Sequence, residues 1–511
     1  MGLGFHPRTD SAYLAFEVSP GCFNLGGAQA PAAIRDQMVR ACMLVDQLLL
    51  SGRIGPGRQL AVVGGGVGGM TAALRAISGS AATVIERAGD AFSLLRQSAT
   101  RRVDPTLFDW PMEHWRAGKI PWDVVPPMPD IPLRWHGDQT DSVVAQIWDP
   151  LIASLPQNAL LQQELNARVL GYRVGPDNTF HIRVRRPWGR EELGPFGAVI
   201  FAAGYGPERT GIETTVQPGA VTHRYHGFPF WSLDPFERQS YGLDKPLDAP
   251  PVLDPEPMPI DAPVIVISGS GDGALQDLQR LVLTNPPGTR GTFSTGAWFK
   301  GLEEALQHAS HASGLVWPTE GWAATLAAIQ AVEQQAERAL FWSQQHVPGT
   351  VVARVDAVHK RQVEILLADT VLGPALHQYI HDRLRPNHGE VYLLYRGAGF
   401  SPCYALNRFV AHLLHACSQQ AGWSGPPLHV VSMGPNTRVE VSGRHHVCTG
   451  DYLACHGRRH LVRVVAPPMA PELDLEAHLV IVRHGIETGS TIPGVPNLPL
   501  PRQLLPYHLP G

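Results

Sequence analysis

The feature that most constrains how this chain folds is a run near residue 60. There the apolar segment LAVV (60–63) meets Gly64, Gly66 and Gly69 and then the helical stretch MTAALRAI (70–77). A second apolar segment follows and ends in Glu86, twenty residues beyond Gly66. In a strand–turn–helix of this kind the first glycine permits the tight turn and the second lets the backbone approach a pyrophosphate. The third lets helix and strand pack closely. The helix N-terminus presents unpaired N–H groups to an anion, and an acid at the end of the next strand accepts hydrogen bonds from a ribose. The glycine pattern alone says little, but strand, helix and spaced acid together predict a dinucleotide-binding βαβ unit.

Two later segments carry related patterns. AVIFAAGYGPER (198–209) is an apolar strand delivering Ala203 and Gly204, and VIVISGSGDGALQDLQRLV (264–282) sets Gly269, Gly271, Asp272 and Ala274 between a strand and a helix. In this order the three segments resemble the flavoprotein oxidoreductases with two dinucleotide-binding domains. That group includes the thioredoxin and glutathione reductases, the flavin-containing monooxygenases and the amine N-hydroxylases. The resemblance covers roughly residues 58–285 and implies an α/β fold: a Rossmann-like FAD-binding domain from discontinuous segments, a second dinucleotide-type glycine turn, and a helical insertion. It implies FAD on Gly64, Gly66, Gly69 and Glu86, with Arg87, Gln97, Ala203 and Gly204 beside them, and NAD(P)H on Gly269, Gly271 and Ala274. The chain departs from the pattern in two places. Ala203 stands where the family has threonine, and NPPGTRGTFSTGAW (285–298) stands where a strand ending in an acid or arginine is expected, leaving Arg290 as the candidate phosphate contact. The rival reading gives Asp272 to FAD and dispenses with nicotinamide; both stay open at this point.

Because ligands sit outside the carboxyl ends of the strands, chemistry at the flavin is expected from the segment after Glu86. Arg101, Asp109, Trp110 and His114 are its candidate catalytic residues, as a cation for the flavin pyrimidine, proton-transfer groups and an aromatic cover. The same aromatic residues would serve equally as packing. No metal is expected: the histidines and cysteines of 444–460 match no structural-zinc spacing. The expected organisation is a helical segment at 1–57, the FAD domain at 58–210 and a Pro-rich excursion at 211–262. The second glycine-turn unit follows at 263–300, then a helical insertion at 301–386, with 387–511 returning strands and a helix to the FAD domain.

Composition narrows the function classes. A net charge of −4 over 511 residues gives no field that draws the chain to nucleic acid or anionic lipid. Nor is there a signal-like start or an uninterrupted apolar run long enough to span a bilayer. The expected setting is cytoplasmic, with a small-molecule substrate as partner and room for a homo-oligomer. Six cysteines without a C-x-x-C pair speak against disulfide exchange at a flavin, and four lysines leave few groups for Schiff-base chemistry. The expectation is an FAD-dependent oxidoreductase, a monooxygenase using NAD(P)H before an oxidase. A non-catalytic nucleotide sensor is the alternative from another class.

Overall fold

Short strands that are apolar at every position need cover on both faces, and this chain supplies it twice. The computed structural model describes residues 16–26, 33–98, 100–104, 110–111, 138–156, 160–204, 206–215, 222–232, 247–248, 259–260, 264–289, 291–342, 349–385, 389–400, 403–434, 437–442, 460–465, 471–486, 492 and 495.

The first unit runs β1 (Glu17–Ser19), β2 (Cys22–Asn24), α1 (Ile34–Leu50), β3 (Leu60–Val63), α2 (Val67–Ala76), β4 (Ala82–Ile85) and β5 (Leu161–Glu164). It continues through β6 (Arg168–Val174), β7 (Phe180–Arg186), β8 (Gly189–Phe196) and β9 (Ala198–Phe201). The sheet order is β1-β2-β9-β3-β4-β5, parallel from β2 to β5. Side chains alternate across a strand, so Leu60, Val62, Val84 and Ile200 pack under α1 and α2. Ala61, Val63, Ile85 and Phe201 face the antiparallel meander β6–β8 instead. The helices α1 and α2 are joined by a fully buried, bidentate Arg75–Asp46 pair, with nitrogen–oxygen distances of 2.6 and 3.0 Å.

The second unit runs β10 (Ile265–Ser268), α3 (Asp272–Val282), α4 (Thr295–Ala312), α5 (Glu320–Trp342), α6 (Gly349–Ala368), α7 (Leu372–His381) and β11 (Val391–Arg396). Then come α8 (Ala405–Ser418), β12 (Leu428–Met433), β13 (Arg438–Ser442), β14 (His460–Val465), β15 (Pro471–Ala477) and β16 (Leu479–Val482). Its sheet, β12-β11-β10-β16, is parallel throughout. Ile265, Ile267, Leu393 and Ile481 pack among the helices, while Val266, Leu394, Val480 and Val482 face the meander β13–β15. Both units therefore place their strands in the order third, second, first, fourth. Both insert a three-stranded meander before the fourth.

The chain is α/β, with a Rossmann-like unit built from discontinuous segments, a second unit on its own glycine turn, and a helical insertion. The insertion starts earlier than sequence suggests, at Thr295, and it separates α3 from β11. The expectation that 387–511 returns to the first domain is corrected. Residues 391–396 and 479–482 pair with the two edges of β10, because a buried strand needs a ladder partner on each side. Of the C-terminal residues described, Ile492 and Val495 pack in the first unit's core. No helix among the described residues is long and apolar enough to cross a membrane.

Candidate functional site

The glycine turn of the first unit leaves β3 at the point where the strand order reverses, between β4 and β9. Gly64 holds φ +111°, and a Cβ there would lie 2.5 Å from the Ala202 carbonyl oxygen. A Cβ on Gly69 would lie 1.9 Å from the Gly64 carbonyl oxygen, so only glycine lets helix and turn approach this closely. Gly66 differs: nothing lies within 4 Å of where its Cβ would be, and as N-cap of α2 it supplies no side chain to the first-turn N–H groups. That open space at an uncapped helix N-terminus is the cradle an anion fills. Glu86, 8% exposed, accepts hydrogen bonds from Gly65 N at 2.6 Å and Ala88 N at 2.8 Å, which fixes its carboxylate beside the turn. Ala203 and Gly204 (φ +83°) follow β9 next to Gly64, while Arg87 and Gln97 are exposed.

The second turn repeats this geometry. Gly269 holds φ +140°, a Cβ on it would meet the Arg483 carbonyl oxygen at 2.2 Å, and Gly271 again faces open space as N-cap of α3. Ala274, fully buried, takes the third position. The register aligns the two units: Val63 pairs with Ile85 as Ser268 pairs with Leu394, so Glu86 corresponds to Tyr395 and Arg87 to Arg396. On the other edge Val63 pairs with Phe201 as Ser268 pairs with Val482. Ala203-Gly204 thus corresponds to His484-Gly485, and both glycines have positive φ. The strand ending in arginine that sequence reasoning looked for directly after α3 does exist. It is β11, displaced by the four insertion helices, and it ends at the exposed Arg396. Arg290 lies outside the described residues. His484 Nε2 sits 2.8 Å from Ser268 Oγ, and burial followed by the charges of Arg396 and Arg209 pushes its pKa down to about 4.

Asp272 turns inward rather than toward a ligand. Its Oδ1 accepts from Tyr404 N and from Asn407 Nδ2, both at 2.8 Å, and so ties α3 to the start of α8. Burial pushes its carboxyl up to about 6 against those two hydrogen bonds. The reading in which Asp272 holds FAD finds no support in this arrangement.

Two of the residues proposed for catalysis are committed elsewhere. Arg101 donates to Asp277 Oδ1 at 2.6 Å and to the Phe230 carbonyl oxygen at 2.6 Å, with its guanidinium 3.9 Å from the Phe230 ring centre. Asp277 also receives Arg280 at 2.9 Å and Arg483 at 2.8 Å. Burial alone would raise the Asp277 carboxyl, but the three guanidinium charges outweigh it and hold it well below the usual carboxylate range. Trp110 packs on Phe299 and Phe409, ring centres 5.2 and 5.1 Å away, in the core of the second unit. Asp109 and His114 lie outside the described residues. Arg408, in α8, is buried between Glu333 and Asp356. Of the 444–460 stretch only His460 is described, buried edge-on against Tyr225. The described residues contain no cluster able to hold a metal.

No family model and no curated protein matches the chain. Among solved structures it is similar to the L-proline dehydrogenase from P. horikoshii, at 16% identity over 44% of this chain and 34% of that chain, TM-score 0.22. The match thus spans about a third of that protein. It is also similar to the bacillithiol disulfide reductase from Bacillus cereus, at 12% identity over 84% and 78% of the two chains, TM-score 0.32. The ornithine hydroxylase from Pseudomonas aeruginosa matches at 11% identity over 84% and 83%, TM-score 0.33.

Proposed function

We propose that the chain is an FAD-dependent oxidoreductase that takes electrons from NADPH and acts on a small metabolite as a monooxygenase. The observation that carries this reading is the repeated glycine turn. One copy is followed across the sheet by the acid Glu86, suited to an adenosine ribose, and the other by Arg396, suited to a 2′-phosphate. Both turns present open space before an uncapped helix, so the residues fit a pyrophosphate at each. Gly64, Gly66, Gly69 and Glu86 would hold FAD, with Arg87, Gln97, Ala203 and Gly204 beside it. Gly269, Gly271, Ala274 and Arg396 would hold NADPH, with Arg209 adding a second cation. FAD supplies two-electron redox chemistry and, once reduced, reaction with oxygen.

The chain's own residues prepare those sites. Ser268 fixes the ring of His484 beside the second turn, and the depressed pKa keeps that ring neutral at pH 7, so it adds a hydrogen-bonding group without charge. Two backbone N–H groups hold the Glu86 side chain beside the first turn. Among the described residues, the thiols favour a monooxygenase over a disulfide reductase. A reductase needs a reactive pair, whereas burial pushes Cys22 up to about 11 and Cys417 up to about 12, and raises Cys403 as well. Proton transfer remains the role proposed for Asp109 and His114. Denaturing the purified protein and identifying the released chromophore tests the first site. FAD in the supernatant of wild type, and none from Gly66→Val, is expected; a colourless wild type overturns the reading.

A further inference from the structure

The meander β6–β8 turns one face inward, where Val169, Ile182 and Val184 pack in the first unit's core. Side chains alternate across a strand, so the residues next to these in the register look outward. Arg168 of β6 stands directly opposite Arg185 of β7, and Arg185 directly opposite Arg190 of β8. All three are exposed, and among the described residues none has an ion pair or a side-chain hydrogen bond. At the β7–β8 turn beside this row stands Trp188, 74% exposed. We propose that this face docks on an anionic lipid bilayer, with Trp188 entering the headgroup region and the arginine row behind it meeting the lipid phosphates.

Like charges directly opposite one another weaken a sheet. Here three stand in one row across about 10 Å, since neighbouring strands lie about 5 Å apart. The carboxylates of the three strands are already committed. Glu192 accepts from Arg173 Nε at 2.9 Å and Nη2 at 2.5 Å, lies 3.2 Å from His181 Nδ1, and faces Arg183 in the register. Glu191 pairs with Arg186, which Glu164 also holds. The row is thus left to an anion that approaches from outside. Arginine takes phosphate through two donors at once, and the amphipathic ring of Trp is favoured where a membrane meets water. The Arg186 guanidinium supports that ring from 5.4 Å. A nucleic-acid strand is gripped by several stacking rings along a groove, whereas Trp188 is a single ring ahead of the cations. An acidic peptide adding to the exposed edge of β8 would meet Pro195, which has no N–H to offer. The net charge of −4 averages this patch away, so the absence of an overall attraction to anionic lipid does not extend to this face. The inference is independent of the oxidoreductase reading.

Cosedimentation of the full-length purified protein with vesicles tests it, using pure phosphatidylcholine and an equal mixture of phosphatidylcholine and phosphatidylglycerol. Binding to the mixed vesicles alone is expected, weakening as salt rises. Arg190→Gln should lower it roughly fivefold and Arg185→Glu, which changes two charges, roughly twenty-five-fold. Arg185→Glu also sets a carboxylate between Arg168 and Arg190, so its melting temperature should rise, which separates lost docking from lost fold. Trp188→Ala should weaken binding and leave its salt dependence unchanged. Failure to bind the mixed vesicles, equal binding to both kinds, or binding that survives Arg185→Glu would overturn the proposal. So would release from the vesicles by a single-stranded oligonucleotide or by poly-glutamate at a charge concentration below that of the anionic lipid, which would hand the face to a different partner.

Discussion

Replacing Arg396 with glutamine should change which nicotinamide dinucleotide the protein uses. Arg396 occupies, in the second sheet, the register position of Arg87, one residue past the site of Glu86. That is the place where an adenosine ribose and its 2′ substituent lie beside a glycine turn. A hydrogen bond to a charged group contributes about 1.5–3 kcal/mol, and at about 1.4 kcal/mol per tenfold this is roughly 10–150-fold in affinity. Arg396 is exposed, so solvent screening places the effect near the lower end, about tenfold. Arg209, whose charge also reaches His484, would keep some phosphate affinity in the variant. Anaerobic stopped-flow reduction of the bound flavin should show the apparent dissociation constant for NADPH rising about tenfold, that for NADH unchanged, and the limiting rate constant unchanged. An equal loss with both dinucleotides, or none with either, refutes the register argument.

Other residues give separable outcomes. Asp277→Asn strips the shared carboxylate from three buried guanidinium groups; breaking a buried ion pair typically costs about 3–5 kcal/mol, read as a large drop in the melting temperature. Because the Asp277 carboxyl is held below its unfolded value, its stabilisation is fully present above about pH 4. It is lost as pH falls below that toward the folded pKa, so acid melting curves of wild type and variant should converge. Trp110→Ala should destabilise by roughly 3 kcal/mol, as large-to-small core substitutions do, and Trp110→Phe should leave turnover near wild type; a turnover collapse in the phenylalanine variant would return Trp110 to the flavin. Gly69→Ala should prevent folding of the first unit, since its Cβ would stand 1.9 Å from the Gly64 carbonyl oxygen, and a stable, yellow variant would contradict the geometry.

How far the sequence carried this account differs between the two units for a physical reason. In the first, strand, turn, helix, strand and acid lie within residues 60–86, so a contiguous reading finds every part. In the second, residues 283–390 stand between α3 and its sheet partner β11, and most of them form four helices, so the arginine that completes the turn lies 125 residues beyond Gly271. The segment HLVIVRHG (478–485) carries an apolar run of strand length, but only pairing with β10 makes Arg483-His484-Gly485 the counterpart of Ala202-Ala203-Gly204. Strand pairing between distant segments leaves no local trace. Arg101 likewise reads as an available cation in sequence, because Asp277, its partner, is 176 residues away. Trp110 reads as an aromatic near the flavin, although the hydrophobic area that claims it comes from Phe299 and Phe409.

The central claim is that one chain carries two dinucleotide seats, the first for FAD and the second for NADPH. Its most direct test is the visible spectrum of the anaerobic protein before and after one equivalent of NADPH. The account predicts an oxidised-flavin spectrum that bleaches in wild type and stays unbleached in Gly271→Val, in which a side chain fills the second cradle while FAD remains bound. A flavin spectrum in wild type that NADPH leaves unchanged would contradict it.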